Sequence, residues 1–410
     1  MSLEHVQNFE DRVSRVNSKK KLKVMFVHEV SYEAKVVYEI HEFPEFLAIR
    51  GHDIVFVDFP EHQVNVKSLL NRPRSLNGRA VPNSQIRLYS LANLLPTILG
   101  RLMAVLIAWF QIPQIIKKEE PDVVILYGVP TNGVQTIWAA HRRGIPVIHR
   151  AIDVSHLLRE GILSKFIVSF EKKVFERSDL IIANNIALAK YIASFSNPKR
   201  EVKVLSPGIQ DMTMMGAELS QEEKFDFVFM GTLFRFSGLD WFIEEMSKKT
   251  NGLDTTLLII GDGEDGARLR GLVQELNLQA RVQFTGFVEF AHLKSQVLRG
   301  RIGLLPFKEV PVARYALPGK VLQYLRFGIP TVSTRLEGLM SILPSGDGVV
   351  YAKPGQEFYE AAIGLLNDSS FINEIVERGN KTLDRKSDWT KNVTELEDTL
   401  YSLVLDHPIE

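Results

Sequence analysis

Residues 257–288, LLIIGDGEDGARLRGLVQELNLQARVQFTGFV, contain a complete strand, turn, helix and second strand. A continuous apolar run, Leu257 to Ile260, leads into a glycine-rich turn at 261–266, and a helix-forming run separates it from a second strand that begins at Val282. Continuously apolar strands joined by a helix are typical of parallel strands covered on both faces. This unit therefore predicts an α/β fold built on a parallel sheet.

Short apolar runs of the same kind alternate with helix-length segments through nearly the whole chain. The predicted strands lie, in chain order, at 22–30, 52–59, 121–128, 145–152, 178–185, 202–208, 225–231, 255–261, 282–288, 302–307 and 329–335. Both halves are therefore predicted to be doubly wound α/β units. The predicted domains are a charged N-terminal extension (1–20), a first Rossmann-like domain (21–208), a polar linker (209–224), a second Rossmann-like domain (225–385) and a C-terminal helix (386–410).

The bulk composition narrows the class of protein. With 410 residues, of which 45% are hydrophobic and 24% charged, the chain suits two soluble globular domains. It contains no cysteine, which excludes disulfides, thiolate metal sites and a cysteine nucleophile. The N-terminal residues lack the apolar core of a signal peptide, so a cytoplasmic location is predicted.

The net charge of zero hides an uneven distribution. Residues 1–210 hold 28 Lys and Arg against 20 Asp and Glu, whereas residues 211–410 hold 21 against 29. A basic half suggests an anionic surface, such as phospholipid or nucleic acid, as a partner. Attraction between the two halves of the chain explains the same asymmetry equally well.

The most apolar segment is 94–116, LLPTILGRLMAVLIAWFQIPQII. Its uninterrupted core, Leu102 to Phe110, is nine residues long, and a bilayer requires roughly 20. The segment is predicted to be a buried helix. The alternative is a helix that lies in a membrane interface, helped by the basic residues around it.

The turn at 261–266, GDGEDG, fits the G-x-G-x-x-G fingerprint of dinucleotide-binding folds, and Glu289 follows at a suitable distance. Three carboxylates, Asp262, Glu264 and Asp265, crowd this turn and would repel a pyrophosphate. A glycine-rich turn beside some other ligand is therefore the preferred interpretation. The Asp262 and Glu264 pair has no third ligand in view, which argues against a metal site.

Asp153 follows the predicted strand IPVIHRAI and lies at the carboxyl end of a parallel sheet, where ligands bind in open α/β folds. Its carboxylate suits a general base or a helix N-cap, and the position alone leaves both open. His149 and Arg150 lie inside the strand, and a structural role is favoured for His149.

Residues 317–330, LPGKVLQYLRFGIP, combine helix start and stop signals with a cation, Lys320, in the first turn. A cation there faces the positive end of the helix dipole. Either the side chain turns into water, or an anion occupies the helix start.

Several strand-end loops should converge on the same edge of the second sheet, and three more cations lie in them: Arg235, Lys308 and Arg314. Parallel strands bring their carboxyl ends together, so these side chains are expected near Lys320. The sequence therefore predicts an anion site, most simply for a diphosphate.

In this order, the segments resemble the GT-B glycosyltransferases of the large group-one family. FLAIRGHDIVFVDF (46–59), PDVVILYG (121–128), FVFMGTLFRFSGLDWFIEEM (227–246), residues 257–288, KVLQYLRFGIPTVST (320–334) and SDWTKNV (387–393) carry the resemblance. It implies two Rossmann-like domains that face each other across a cleft. It also implies that the C-terminal helix crosses back onto the first domain.

The sequence departs from the family pattern at the donor site. The usual E-x7-E pair would fall at Tyr315 and Gln323, and Thr232 and Ser237 replace a common arginine and lysine. The first loop, 28–35, lacks the paired glycines typical of retaining members. These replacements put retention of configuration in doubt.

A narrower resemblance fits these departures. RAID (150–153) and VPVARYALPGKVLQY (310–324) resemble the xanthan-type β-glucuronosyltransferases, an inverting GT-B group. The resemblance implies that Asp153 is the catalytic base, that Lys320 binds the donor diphosphate and that Gln323 contacts ribose or phosphate. The implied donor site comprises Gly231, Thr232, Arg235, Gly261, Gly263, Phe287, Val288, Glu309, Arg314, Tyr315, Lys320 and Gln323.

The expected function is transfer of a sugar from a nucleotide-diphosphate donor, UDP-linked by preference, to a hydroxyl of a glycan or lipid-linked acceptor. Backbone groups around Phe287 and Val288 would hold the base, and the glycines would allow close approach to the nucleotide. No metal, other cofactor or nucleic acid is expected, and a location at the inner face of the cytoplasmic membrane, in polysaccharide or cell-envelope biosynthesis, is predicted. The alternatives are a nucleotide-sugar epimerase on the same fold, a dinucleotide-dependent oxidoreductase and a non-catalytic nucleotide-sugar-binding regulator.

Overall fold

The structure is a computed structural model that describes residues 21–35, 37–59, 64–95, 97–158, 162–209, 224–248 and 254–406. The predicted N-terminal extension, 1–20, and nearly all of the predicted linker, 209–224, lie outside the described residues.

An eight-stranded sheet contains the strands of the first half of the chain. These strands are β1 Lys23–Val27, β2 Asp53–Asp58, β3 Arg74–Asn77, β4 Gln85–Ser90, β5 Val123–Leu126, β6 Val147–Ala151, β7 Leu180–Ala183 and β8 Lys203–Val204. The helices between them are α1 Glu39–Ile49, α2 Thr97–Glu119, α3 Gly133–His141, α4 Ile162–Arg177 and α5 Ile186–Phe195, with 3-10 turns at Lys67–Leu70 and Ser155–Leu158. The strand order is β3-β4-β2-β1-β5-β6-β7-β8.

A six-stranded sheet contains the strands of the second half. These strands are β9 Phe225–Met230, β10 Leu257–Ile260, β11 Val282–Gly286, β12 Gly300–Leu305, β13 Thr331–Ser333 and β14 Val349–Tyr351, in the order β11-β10-β9-β12-β13-β14. Its helices are α6 Leu239–Ser247, α7 Gly266–Glu275, α8 Phe290–Val297, α9 Pro311–Arg314, α10 Gly319–Arg326, α11 Glu337–Ile342, α12 Gln356–Leu366, α13 Ser369–Lys386 and α14 Trp389–Asp406, with a 3-10 turn at Arg235–Ser237. All pairs in this sheet are parallel.

Contacts along the chain define two compact units. The first comprises residues up to 35, 40–148 and 397 onwards, and the second comprises 36–39 and 149–396. The division falls inside β6 rather than at the predicted linker, so the predicted domain boundaries remain a prediction. The last ten residues of α14 belong to the first unit, where Glu397 contacts Arg50 at 2.9 Å and His52 at 2.8 Å.

The predicted α/β class and the eleven predicted strands are confirmed, and three strands were missed. β4 was missed because polar residues, Gln85, Arg87 and Ser90, interrupt its short apolar run. β3 is mostly exposed and pairs antiparallel with β4, so the first sheet is mixed rather than purely parallel. β14 is three residues long, too short to give a pattern.

Helix α2 covers most of the apolar segment predicted to be a buried helix. Its inner face is buried at Ala104, Ala108 and Ile112, but Leu106 and Phe110 are exposed. The interpretation as a fully buried helix was therefore wrong for the outer face. None of the helices in the described part of the chain is long and apolar enough to span a bilayer.

The loops that follow β9 and β10 pack against each other through backbone atoms. Gly231 N–H donates to the Ile260 carbonyl at 2.9 Å, and Gly261 N–H donates to the Gly286 carbonyl at 2.9 Å. Gly261 has a φ of +125°, and a Cβ added there would lie 2.2 Å from the Gly231 carbonyl oxygen. At Gly263 an added Cβ would lie 2.6 Å from the Leu233 backbone. These glycines are therefore required for loop packing.

We expect Gly261→Ala to destabilise the protein by about 2–4 kcal/mol, because it adds a steric clash to a φ that alanine rarely adopts. The matched control is Gly271→Ala, at an exposed position in α7 where an added Cβ meets nothing within 4 Å. It should be neutral or stabilise by up to about 1 kcal/mol. Urea unfolding measures both, and equal stability of the two variants would contradict the packing role.

Candidate functional site

Lys320 is the second residue of α10, and its side chain does not turn into water. Its ammonium nitrogen lies 4.1 Å from the ring centre of Phe229 and 5.4 Å from that of Phe307. Both rings are buried, Phe229 inside β9 and Phe307 just beyond β12, the neighbouring strand. Aromatic faces attract a cation, so the two rings hold the ammonium group at the carboxyl edge of the sheet.

The charge on Lys320 has no anionic partner among the described residues: neither a hydrogen bond nor an ion pair of its ammonium group is found there. Burial lowers the pKa of Lys320 to about 7, and the start of α10 adds the positive end of a helix dipole. A cation held in this way favours an anionic ligand. This is the strongest electrostatic feature of the candidate site.

Gly231 makes room for this lysine. A Cβ added at Gly231, where φ is +130°, would lie 2.6 Å from the Lys320 ammonium nitrogen. Packing therefore requires glycine at all three positions. Gly231 leaves space for the Lys320 side chain, and Gly261 and Gly263 allow the neighbouring loops to come into contact. Their predicted approach to a nucleotide remains a prediction.

The other predicted cations differ in their availability. Lys308 is paired with Asp240 at 2.6 Å, and Arg314 donates to Glu337 at 2.7 Å. The guanidinium of Arg235, which is exposed, has no ion pair within the described residues. Two of the four predicted cations are therefore paired with carboxylates of the same unit, and their place in one anion site with Lys320 remains a prediction.

The loop 231–238 is closed by its own side chains. Ser237 Oγ accepts from Phe234 N–H at 3.1 Å and donates to the Thr232 carbonyl at 3.4 Å. Thr232 and Glu309 are exposed, each at the end of a strand of the second sheet. A short side chain at 237 thus shapes the turn where the family has lysine.

Gln323 and Tyr324 lie one turn beyond Lys320 and have different environments. Gln323 is half-buried, and within the described residues its side-chain amide makes no hydrogen bond, so it is available to a ligand beside Lys320. Tyr324 is fully buried, and its hydroxyl accepts from Met230 N–H at 2.6 Å. Tyr324 therefore fastens α10 to the end of β9, a structural role that sequence reasoning missed.

Tyr315 packs near the segment that carries Asp153. The Asn185 side-chain amide donates to the Tyr315 carbonyl at 3.0 Å, and the Tyr315 and Tyr191 rings lie 4.6 Å apart. Tyr315 thereby joins the apolar cluster that contains Ala151 and Val154, on either side of Asp153. Within the second unit, the loop that leads to α10 is thus joined to the end of β6.

A buried chain of polar groups supports this junction. His156 lies between Glu171, 2.5 Å from its Nδ1, and the Tyr191 hydroxyl, 3.0 Å from its Nε2. Glu171 also accepts from Ser155 N–H at 2.8 Å. Burial and then the charge of Glu171 raise the pKa of Tyr191 to about 12. These groups fix the turn that follows Asp153, and no local pattern in the sequence indicates them.

Asp153 itself is exposed, and its neighbours in the strand are held firmly. The buried guanidinium of Arg150 binds both oxygens of Glu39, at 2.8 and 3.0 Å, and donates to the Leu205 carbonyl at 2.7 Å. The Ile152 carbonyl accepts from the Asn184 amide at 3.2 Å. Asp153 therefore lies at the exposed end of a firmly held strand.

The remaining predicted residues lie after β11. Phe287 is 74% exposed, and Val288 packs against a cluster that contains Met230 and Tyr324. A surface hollow of about 630 Å³ runs along the edge strand β11 and is lined by Phe225, Arg270 and 279–286. Its lining contains none of the predicted site residues.

We expect Lys320→Met to stabilise the free protein below pH 7, because it removes a desolvated cation that has no anion beside it. The pKa of Lys320 is lowered in the folded state, so the wild-type penalty is complete below about pH 7 and disappears as the pH rises toward the unfolded value near 10.5. The stability advantage of Lys320→Met over the wild type should therefore be smaller at pH 9 than at pH 6.5.

Urea unfolding at the two pH values measures this gain. The control is Lys353→Met, which removes an exposed lysine and should change stability by less than about 0.5 kcal/mol at either pH. If Lys320→Met is less stable than the wild type at pH 6.5, the charged ammonium group stabilises the free protein, and the prediction is contradicted.

Two family models match the chain and together cover most of it. The model of glycosyl transferases group 1 matches residues 224–368, and that of glycosyltransferase family 4 matches residues 40–211.

Curated relatives are similar over part of their length. An uncharacterized glycosyltransferase of Methanocaldococcus jannaschii is 26% identical over 57% of this chain, and the match spans 62% of that relative. The N-acetyl-alpha-D-glucosaminyl L-malate synthase of Bacillus anthracis is 22% identical over 67% of this chain and 69% of that protein.

Solved structures share the fold at low sequence identity. The sucrose-phosphate synthase of Thermosynechococcus elongatus superposes with a TM-score of 0.75 at 14% identity, covering 94% of this chain and all of that one. Anabaena HepE in complex with UDP and glucose gives 0.68 at 16% identity, covering 93% of this chain and all of that one. These matches show that the chain carries a glycosyltransferase family 4 domain at 40–211 and a glycosyl transferases group 1 domain at 224–368, on the GT-B fold.

Proposed function

We propose that this protein transfers a sugar from a UDP-sugar to a hydroxyl group of a glycan or lipid-linked acceptor, with inversion and without a metal ion. The observation that carries the proposal is Lys320, a half-buried cation without an anionic partner in the described residues, at the start of a helix. Solved relatives support UDP as the nucleotide, since HepE is described with UDP and with UDP-glucose and Staphylococcus aureus MnaA with UDP.

The proposed reaction is a single displacement. Asp153 accepts the proton of the acceptor hydroxyl as its oxygen attacks the anomeric carbon. The bond between that carbon and the diphosphate oxygen breaks, and the diphosphate leaves with the bonding electrons. The Lys320 ammonium group and the N–H groups at the start of α10 stabilise the negative charge that develops there.

The narrower donor assignments follow the resemblance to xanthan-type enzymes. In this proposal Gln323, one turn from Lys320, contacts ribose or phosphate, and Arg235, which has no ion pair within the described residues, supplies a second cation. The acceptor class and the inner face of the cytoplasmic membrane follow from the basic first half of the sequence. An assay in the presence of EDTA tests whether transfer requires a metal ion. We expect full turnover with EDTA, and loss of turnover would contradict metal independence.

We expect UDP to stabilise the wild-type protein by roughly 2.7 kcal/mol at about 100 times its dissociation constant. Lys320→Met should lose most of this stabilisation, whereas Asp153→Asn should keep it. Thermal unfolding with UDP, GDP, ADP and NAD measures the preference. Stabilisation by NAD alone would overturn the proposal in favour of an oxidoreductase.

Asp153→Asn should reduce sugar transfer by about 10²- to 10⁴-fold, the usual contribution of a general base. UDP release from UDP-sugars, with and without added acceptors, gives the rate. The control is Asp254→Asn, a carboxylate that is 85% exposed and outside the site, which should leave the rate unchanged. Asp153→Asn turnover at the wild-type rate would remove Asp153 from the mechanism. Donor conversion without UDP release would indicate an epimerase.

UDP affinity should also fall as the pH rises above 7. The pKa of free Lys320 is lowered to about 7, and a bound diphosphate raises it, so binding at higher pH requires the uptake of a proton. The dissociation constant should therefore increase by up to roughly tenfold per pH unit between pH 7 and 8.5. Titration calorimetry measures it, and an equal slope in Lys320→Met would assign the effect to another group.

A further inference from the structure

The outer face of α2 exposes four large apolar side chains. Leu102, Leu106, Trp109 and Phe110 are 58%, 64%, 38% and 70% exposed. Their spacing of four, three and one residues places them on one side of the helix. The opposite side is anchored in the core, so this face cannot rotate inward.

The neighbouring helix α3 extends the same surface. Trp138 is 39% exposed and meets Trp109 edge-on, with ring centres 5.5 Å apart. Arg142 lies over the Trp138 ring at 4.9 Å. The tryptophan face is defined here as Leu102, Leu106, Trp109, Phe110 and Trp138.

The segments that carry this face are strongly basic. Residues 62–152 contain eleven Lys and Arg against three acidic residues, Glu119, Glu120 and Asp122. Exposed cations lie at the ends of both helices, Lys117 after the tryptophan face on α2 and Arg143 after it on α3. The partner of this surface is therefore expected to be apolar and anionic together.

We propose that the tryptophan face docks on the surface of a bilayer that contains anionic lipids, with α2 lying in the plane of the interface. Tryptophan, with an apolar ring and a polar N–H, prefers that region. Leucine and phenylalanine side chains on one helix face enter the acyl boundary, and the basic rim binds acidic headgroups.

The charge distribution also argues against a second copy of the chain as the occupant. A two-fold symmetric interface on this face would bring Arg142, Arg143 and Lys117 toward the same residues of the other copy. Residues 62–152 offer only three carboxylates to these cations, of which Glu119 is buried and paired with Arg87, and Asp122 accepts from the Lys23 N–H. An anionic bilayer can bind the apolar side chains through its acyl region and the basic rim through its headgroups.

The proposal is independent of sugar transfer, because lipid binding is measured with neither donor nor acceptor present. The full chain is sedimented with vesicles of phosphatidylcholine alone and of phosphatidylcholine with phosphatidylglycerol. We expect binding to the anionic vesicles and at least roughly tenfold weaker binding by Leu106→Ser/Phe110→Ser, which removes two exposed apolar side chains without touching the core. The control is Leu405→Ser, at a position that is 79% exposed on α14.

Brominated lipids separate insertion from simple electrostatic attraction. Trp109 and Trp138 are two of the four tryptophans in the chain, and the other two are Trp241 and Trp389. Bromine in the acyl chains should quench the fluorescence of the wild type. It should not quench a Trp109→Phe/Trp138→Phe variant that still sediments with vesicles.

Three results would overturn the proposal. The first is no binding to anionic vesicles at about 1 mM lipid. The second is binding without quenching, which would show attraction of the basic surface without insertion of the tryptophan face. The third is self-association, seen by sedimentation velocity, that Leu106→Ser/Phe110→Ser abolishes while vesicle binding is absent. That result would make the face an interface between copies of the chain.

Discussion

The candidate site depends on a backbone contact in which no side chain takes part. The Gly231 carbonyl oxygen occupies the place where a side chain at Gly261 would begin, so the loops after β9 and β10 can meet only if 261 is glycine. The same loop has no side chain at Gly231, and the Lys320 ammonium group lies in that space. Parallel pairing brings the strand ends together, and the glycines decide how closely they approach.

Lys320 illustrates a cost in stability that is typical of binding sites. The nearby acidic side chains serve other cations: Asp240 accepts from Lys308 and Arg268, and Glu337 accepts from Arg314. Two aromatic rings compensate part of the desolvation of Lys320, but rings do not neutralise a charge. Within the described residues, local ion pairing thus leaves Lys320 half-buried and without an anionic partner, which favours an anionic ligand.

Asp153, which is proposed as the base, differs from Lys320 because its charged group is exposed. Asp153 is exposed, while the strand before it is fixed by the buried pair of Arg150 and Glu39. The turn after it is fixed by Glu171 and His156. A buried pair of this kind is weak evidence for net stability, but it restricts the orientation of the strand. Function in this fold depends on such rigid supports beneath accessible groups.

The sequence by itself determined the α/β class, the order of eleven strands and the position of Lys320 at a helix start, because continuous apolar runs and turn residues are local signals. It did not determine what surrounds Lys320. Phe229 and Phe307 lie under the ammonium group only because β9 and β12 are neighbours in the sheet. The carboxylates that neutralise Lys308 and Arg314 lie 68 and 23 residues away in the chain. Tertiary structure decided which charges remain available, since that depends on contacts between residues far apart in sequence.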